Sequence, residues 1–210
     1  RDLENGLISI GASENALRLI LLSELEHFCA RYPHVRIRLL NYSAPQAVKA
    51  LENNIIDFAI VSTPVLVHKH MHQEKLVSYD EILLGGTKYK QFAQQVHYLE
   101  DISEMPLIGL CEGSSTHTHY SRFFMEHDLP FEPDMEAAMT DQVLPMITHN
   151  LGIGFYPKSL ALEAIEKELV FPIELTEPLP NRDVVVITNN HTPINSASRR
   201  FLEFLLENRK

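Results

Sequence analysis

Cysteine is scarce in this chain, and long hydrophobic runs are absent from it. Cys29 and Cys111 are the two cysteines among 210 residues, and they stand far apart. This spacing does not suggest a disulfide scaffold and is typical of a reducing compartment. No apolar run approaches the ~20 residues that a membrane span needs, and the pattern of a secretory signal peptide is missing. We therefore expect a cytoplasmic protein.

Basic charge is also in short supply. Lys and Arg total 18 against 28 Asp and Glu, which gives a net charge of −10. The basic residues form no stripe, and an acidic chain without one is a poor ligand for the phosphate backbone. We expect this chain not to bind nucleic acid by itself.

The motifs of common enzymes are missing as well. No GxGxxG follows the first predicted strand and no GxxxxGK[ST] occurs. Gly152 and Gly154 form only a short GxG, which is more typical of a helix end before a strand. Asp141 and His149 lie at opposite ends of one predicted helix, too far apart to cooperate directly. We expect no enzyme, no cofactor and no bound metal.

Hydrophobic periodicity predicts alternating strands and helices along the chain. This alternation predicts two α/β units, each with a mostly parallel sheet, with the chain crossing into the second unit near Gly85 and Gly86. A polar, His-rich loop is expected over residues 65–75. The predicted strands are 6–12, 35–42, 57–62, one or two within 75–86, 106–111, 134–140, 151–157, 169–175 and 183–189, and the predicted helices are 15–33, 43–54, a segment of 112–129, 141–150, 158–168 and 196–210.

Polar turns follow several of these strands. In an open α/β sheet, ligands bind at the carboxyl ends of strands beside helix N-termini. Each hydroxyl has an alternative role as the cap of its own helix, but two sets of such turns, one in each unit, favour a site for a small polar ligand. The turns are Ala12-Ser13-Glu14, Tyr42-Ser43-Ala44, Ser62-Thr63-Pro64, Glu112 to Thr116 and Thr140-Asp141.

Several motifs, in order along nearly the whole chain, carry a family resemblance. They are "GLISIGAS", "FCARYPHVRIRL", "AVKALENNIIDFAIVSTP", "PLIGL", "LGIGFYPKS" and "ASRRFLEFL". Together they resemble the effector-binding domain of LysR-type transcriptional regulators. Asn54 stands where the family usually has Gly. Because Asn tolerates a left-handed backbone next best after Gly, we expect the turn to survive.

The resemblance implies a periplasmic-binding-protein-like α/β fold with two Rossmann-like subdomains joined by two crossover strands. The first subdomain would comprise residues 1–84 plus 187–210, and the second 87–183. It also implies an N-terminal winged helix-turn-helix DNA-binding domain that is absent from this chain. A small metabolite effector would bind in the cleft between subdomains and change how a tetramer grips DNA. The implied effector-binding residues are Ser13, Glu14, Tyr42, Ser43, Ser62, Thr63, Ser114, Ser115, Thr116, Thr140, Asp141 and Phe155.

A homodimer is a further implication of the resemblance. The first predicted helix is apolar almost all round, whereas a helix that covers one sheet needs only a stripe. The second face is expected to meet the 117–128 helix of another copy, because an exposed patch of this size is costly. The expected interface residues are Leu17, Leu21 and Phe124.

Charge at the predicted rim bears on the effector's class. Glu14, Glu112 and Asp141 lie there, and Lys158 is the nearby cation. An acidic rim disfavours a dianion and favours an amine, a zwitterion or a neutral hydroxylated ligand.

Other functions compete with a ligand sensor. A solute-binding protein of a transport system has the same fold, and an enzyme on this scaffold would need convergent catalytic groups. His68, His70 and His72, like His117 and His119, alternate as metal ligands on an extended segment would, but a solvated loop is the favoured explanation because no carboxylate or Cys completes a recognisable spacing. Cys111 precedes a predicted helix N-terminus, where thiolates are stabilised, but no partner cysteine stands nearby.

Overall fold

The computed structural model describes residues 6–207 and residue 209, and the chain in it divides into two compact units. One unit runs to Ser78 and resumes at Asp183, and the other spans Tyr79–Arg182. The chain thus enters the second unit earlier than the boundary predicted around residues 84–87. The reason is that the strand over residues 81–86 pairs within the second sheet.

The first unit is built on one five-stranded sheet. Its elements are β1 (Leu7–Ala12), α1 (Glu14–Ala16), a π-helical turn (Leu17–Leu21), α2 (Leu22–Arg31), β2 (Arg36–Asn41), α3 (Ala44–Glu52), β3 (Phe58–Ser62), β4 (Met71–Tyr79), β10 (Arg182–Asn189) and α8 (Ser196–Glu207). The strand order is β2-β1-β3-β10-β4. Strands β1, β2 and β3 are parallel, whereas β10 runs antiparallel to β3.

An aromatic cluster holds α2 and α8 against the sheet. Phe28 of α2 contacts Phe201 of α8 edge-to-face, with the ring centroids 4.9 Å apart. Phe201 stacks on Phe58 of β3 at 5.8 Å. All three rings are fully buried, and pairs of this kind stabilise a core beyond the area they bury.

Asn54 confirms the expected turn between α3 and β3. Its φ is +55°, in the left-handed region, and its side-chain oxygen accepts a hydrogen bond from the Thr192 hydroxyl at 2.7 Å. The Asn thus replaces the usual Gly and adds a contact that Gly cannot make.

The second unit has its own five-stranded sheet. Its elements are β5 (Glu81–Gly86), 3₁₀ turns at Thr87–Tyr89 and Phe92–Gln94, α4 (Leu99–Ser103), β6 (Leu107–Leu110), α5 (Ser115–Glu126), β7 (Met135–Ala137), α6 (Thr140–Thr148), β8 (Ile153–Pro157), α7 (Lys158–Glu166) and β9 (Val170–Ile173). The strand order is β7-β6-β8-β5-β9. Strands β7, β6 and β8 are parallel, and β5 runs antiparallel to both β8 and β9.

Two sequence expectations need correction. The sheets are mixed rather than mostly parallel, because β5 and β10 are the first strands after each passage between units. No helix of their own unit lies directly before them in the chain to return it in the parallel direction. The predicted loop over 65–75 also contains the start of β4, an edge strand in which residues 72–75 are exposed. Edge strands commonly carry polar and charged side chains, which is why composition suggested a loop.

Candidate functional site

The hydroxyl-bearing turns of the first unit follow three adjacent parallel strands, as predicted. Ser13 follows β1, Tyr42 and Ser43 follow β2, and Thr63 follows β3, which ends at Ser62. Because the strands are parallel neighbours, these residues lie at the same edge of the sheet.

Ser13 connects two of these strands rather than capping its helix. Its hydroxyl oxygen accepts a hydrogen bond from the Ser62 N–H at 3.3 Å, and its own N–H donates to the Ile60 carbonyl at 3.1 Å. Among the residues that the structure describes, no side-chain capping bond forms at Ser13. Glu14 is half-buried, and its Oε1 lies 4.0 Å from Arg18 Nε.

Ser43 has the capping role that was its alternative explanation. Its hydroxyl accepts from the Gln46 N–H at 3.4 Å, and the Gln46 side chain accepts from the Ser43 N–H at 3.0 Å. Tyr42 beside it packs over Gly11, where a Cβ would lie 3.0 Å from the Tyr42 ring. The small residue in β1 therefore makes room for the Tyr42 ring.

Thr63 is hydrogen-bonded to the start of β10. The Thr63 N–H donates to the Asp183 carbonyl at 2.9 Å, and the Asp183 N–H donates to the Thr63 hydroxyl oxygen at 3.0 Å. The Thr63–Pro64 peptide bond is cis. Strand β10 and the turn after β3 are thereby fixed to each other.

The second unit repeats the arrangement at the carboxyl ends of β6 and β7. Ser114 caps α5, since its hydroxyl accepts from the His117 N–H at 3.0 Å. Thr140, the first residue of α6, is buried, and Asp141 beside it is exposed. Phe155 lies within β8 and is 7% exposed; its ring stacks on Tyr120 with the centroids 4.1 Å apart. Little of the Phe155 surface is therefore open to a ligand.

Arg182 donates hydrogen bonds to the hydroxyls of Ser115 and Thr116. It is not among the site residues predicted from the sequence. It is 1% exposed. Its Nη1 donates to Thr116 Oγ1 at 2.9 Å and to Glu81 Oε1 at 2.8 Å, and its Nη2 donates to Ser115 Oγ at 3.1 Å. The Tyr120 hydroxyl donates to the other Glu81 oxygen. The signal that could have found it is an arginine directly before an apolar β-strand.

Glu81 and Arg182 form a fully buried ion pair. Burial raises the pKa of Glu81, against the attraction of the Arg182 guanidinium. Burial also lowers the pKa of Arg182, but the interactions with Glu81 and Tyr79 together outweigh it, and the net pKa of Arg182 is raised. The pair joins Glu81, the first residue of β5, to Arg182, the first residue of β10. Removal of either partner alone would leave the other charge buried and unpaired.

His119, on the following turn of α5, is held neutral. Burial, helped by the positive charge of Arg182, lowers its pKa from 6.5 to about 3, although the Pro180 backbone opposes this. Its buried Nε2 has no hydrogen-bond partner within the described part of the chain. His119 therefore adds no charge beside Arg182 at neutral pH.

The three expected interface residues differ in exposure. Leu21 and Phe124 are fully buried in the single chain, so they have no surface to offer a partner. Leu17 is half-buried. Exposed apolar surface instead lies at the neighbouring Leu22 and Met125, which are 51% and 66% exposed.

The histidine-rich segment forms a stack rather than an obvious metal centre. The His70 ring lies between His68, at 5.6 Å, and His191, at 4.5 Å. Across residues 6–207 and 209, no group of three or more His, Cys, Asp or Glu is placed to hold a metal ion. Cys29 and Cys111 are both free thiols and half-buried. Within the same residues, no helix has the length and apolar character to cross a membrane.

Comparison with known proteins gives a consistent result. The family model described as the LysR substrate binding domain matches residues 1–210. A probable RuBisCO transcriptional regulator of Chlorokybus atmophyticus is 23% identical over 206 residues, which is 96% of this chain and 66% of that protein. This chain thus spans about two thirds of that relative's length.

Solved structures share the fold. The regulatory domain of CcmR from Synechocystis PCC6803, in complex with 2-PG, matches with a TM-score of 0.86 at 15% identity over 98% of both chains. The effector binding domain of QuiR in complex with shikimate matches with a TM-score of 0.85 at 16% identity over 97% of both. The predicted two-unit, periplasmic-binding-protein-like α/β fold is confirmed.

Proposed function

The chain belongs to the LysR substrate binding domain family, and from that premise we propose that it senses a small-molecule effector through the hydroxyl-bearing turns that follow its strands. The observation that carries this proposal is the placement of Ser13 and Ser62 at one sheet edge and of Ser114–Thr116 at the other sheet's edge. Solved neighbours with this fold hold 2-PG and shikimate.

The role of the whole protein is part of the proposal. Curated relatives are transcriptional regulators, which favours a regulator over the solute-binding alternative and over an enzyme. We propose that the chain acts in the cytoplasm within such a regulator, as a homodimer or tetramer, and that DNA is contacted outside this chain. The net charge of −10 supports this, because an acidic chain is repelled by the phosphate backbone of DNA.

The charge of the site supports a neutral or zwitterionic effector. Arg182, which holds Ser115 and Thr116, is neutralised by Glu81 at 2.8 Å, and Glu14 and Asp141 each lie at a hydroxyl-bearing turn of their own unit. A dianion would gain little from a cation that is already paired. We therefore rank amino acids, amines and hydroxylated neutral molecules ahead of dianions.

A thermal-shift screen of the 210-residue chain tests the proposal. The panel comprises amino acids, polyamines, sugars and small organic acids, with 2-PG and shikimate included, at fixed pH and salt. A ligand at a hundredfold its Kd adds about 2.7 kcal/mol of stability. We expect a hit that is lost in Ser13→Ala and in Thr140→Ala and retained in Ser23→Ala, an exposed hydroxyl outside the site. A folded protein without any hit would assign these hydroxyls to capping and strand contacts alone.

A further inference from the structure

A cavity of about 320 Å³ lies at the β9 edge of the second sheet. It is lined by Ile82 and Leu83 of β5 and by residues 172–175 and 177–179, all within the second unit. The hydroxyl-bearing turns of this unit follow β6 and β7, and strands β8 and β5 separate β6 from β9 in the sheet. Three spacings between neighbouring strands amount to about 14 Å, so the cavity does not belong to those turns.

The outer wall of the cavity is held by His97. Strand β9 pairs with β5 as far as Ile173 and Leu83. Beyond that point the His97 N–H donates to the Glu174 carbonyl at 2.9 Å, and the Thr176 N–H donates to the His97 carbonyl at 2.8 Å. The chain after β9 is therefore bonded to His97 rather than to β5, and the cavity is lined from both sides.

The apolar walls belong to the core of the second unit. Leu83 and Ile173 are 1% and 4% exposed, and Leu175 and Leu179 are half-buried against the same hydrophobic cluster. Side chains packed in this way keep their positions whether or not a ligand is bound. A volume of about 320 Å³ is at the lower end of the roughly 300–1,000 Å³ of ligand pockets. The cavity therefore suits a single ring or a short branched chain.

Two carboxylates line the same cavity. Glu177 is half-buried, and its Oε2 accepts a hydrogen bond from the Leu99 N–H at 2.8 Å, which fixes the side chain. Glu174 is exposed. None of the lining residues that the structure describes is basic, and no salt bridge among the described residues involves either carboxylate. An anion is repelled here, whereas an ammonium group gains a charge-assisted hydrogen bond.

We propose that this cavity binds a small primary amine that carries an apolar ring or chain. The apolar part packs against Ile82, Leu175 and Leu179, and the ammonium group donates to Glu177. The site goes beyond the proposed effector function, because it uses none of the hydroxyl-bearing turns. A ligand held there stabilises the folded chain by mass action.

A methyl NMR titration of the 210-residue chain with three probes of similar shape tests this proposal. The probes are 2-phenylethylamine, 2-phenylethanol and 3-phenylpropionate, at neutral pH and fixed salt. We expect the amine to displace the Ile82, Leu175 and Leu179 methyl resonances. It should bind about tenfold more tightly than the alcohol, because a charge-assisted hydrogen bond is stronger than a neutral one. The propionate should displace none of these resonances.

Two variants separate the charge of the site from its volume. Glu177→Gln keeps an acceptor for the Leu99 N–H and removes the charge, so it should weaken amine binding about tenfold and leave the alcohol unaffected. Glu166→Gln, at an exposed position of α7, is the matched control and should leave both affinities unchanged. Leu179→Phe reduces the volume and should abolish the binding of both probes.

The proposal is overturned if the amine leaves the three cavity resonances in place, if the amine and the propionate bind equally, or if Glu177→Gln binds the amine as wild type does. Shifts from the amine that are confined to the Thr63 and Thr116 methyls would also overturn it, and they would support the effector function instead. Ser13→Ala and Thr140→Ala, which test the effector function, should leave the shifts at the cavity unchanged.

Discussion

At the scale of single residues, His119 makes one contribution to stability that depends on pH in the acid range. Its pKa is lowered from 6.5 to about 3, first by burial and then by the charges of Arg182 and Arg122. Between pH 6.5 and about 3, the His119 side chain is protonated in the unfolded chain and neutral in the folded chain. The stability that His119 contributes is therefore present above pH 6.5 and is lost as the pH falls towards 3.

Replacing His119 by glutamine is expected to flatten this dependence. Urea unfolding of wild type and His119→Gln, followed at several pH values between 6.5 and 3, should show a smaller loss of unfolding free energy for the variant. Glu81, whose pKa is shifted in the opposite direction to that of His119, is present in both proteins and cancels in the difference. His72→Gln, at an exposed position of β4, is the control and should match wild type. Parallel curves for His119→Gln and wild type would contradict the prediction.

At the scale of elements, the start of α5 depends on one hydroxyl. The Ser114 oxygen accepts from the His117 N–H at 3.0 Å, so it satisfies a helix donor that otherwise lacks a partner. We expect Ser114→Ala to lower the free energy of unfolding by about 1 kcal/mol and Ser114→Asn, a comparable cap, to stay near wild type. Equal urea midpoints for Ser114→Ala and wild type would contradict a stabilising role of this cap.

The elements also show what sequence could and could not predict. Periodicity located α3 with its capping box because Ser43, Pro45 and Gln46 act within one turn. It missed the first half of β4, since an edge strand of exposed polar residues has a loop's composition. The direction of β5 and β10 depends on which unit each strand joins, and that is set by contacts distant in sequence. The turns of the candidate site were predictable for the same reason as α3, whereas Arg182 was not, because its partners Glu81, Ser115 and Thr116 lie far along the chain.

At the scale of the whole molecule, a second copy of the chain can contact only those side chains of the first helical region that are exposed in the single chain. Leu21 and Phe124 are fully buried in the cores of their own units, whereas Leu22 is 51% exposed. An exposed leucine beside the half-buried Leu17 is surface that a second copy would cover. The predicted homodimer therefore depends on Leu17 and Leu22 rather than on Leu21.

Sedimentation velocity over a range of concentrations measures this association. We expect wild type to sediment as a dimer and Leu22→Lys to shift towards monomer, because a lysine in an apolar contact must be desolvated without a partner charge. Leu66→Lys is the matched control: Leu66 is 88% exposed in the segment before β4, and its replacement should leave sedimentation unchanged. Since Leu22 is exposed in the single chain, its replacement should cost little monomer stability, and a loss of concentration dependence in Tm should accompany dissociation. A wild-type chain that sediments as a monomer throughout, or a Leu22→Lys variant that remains dimeric, would remove this face from the interface.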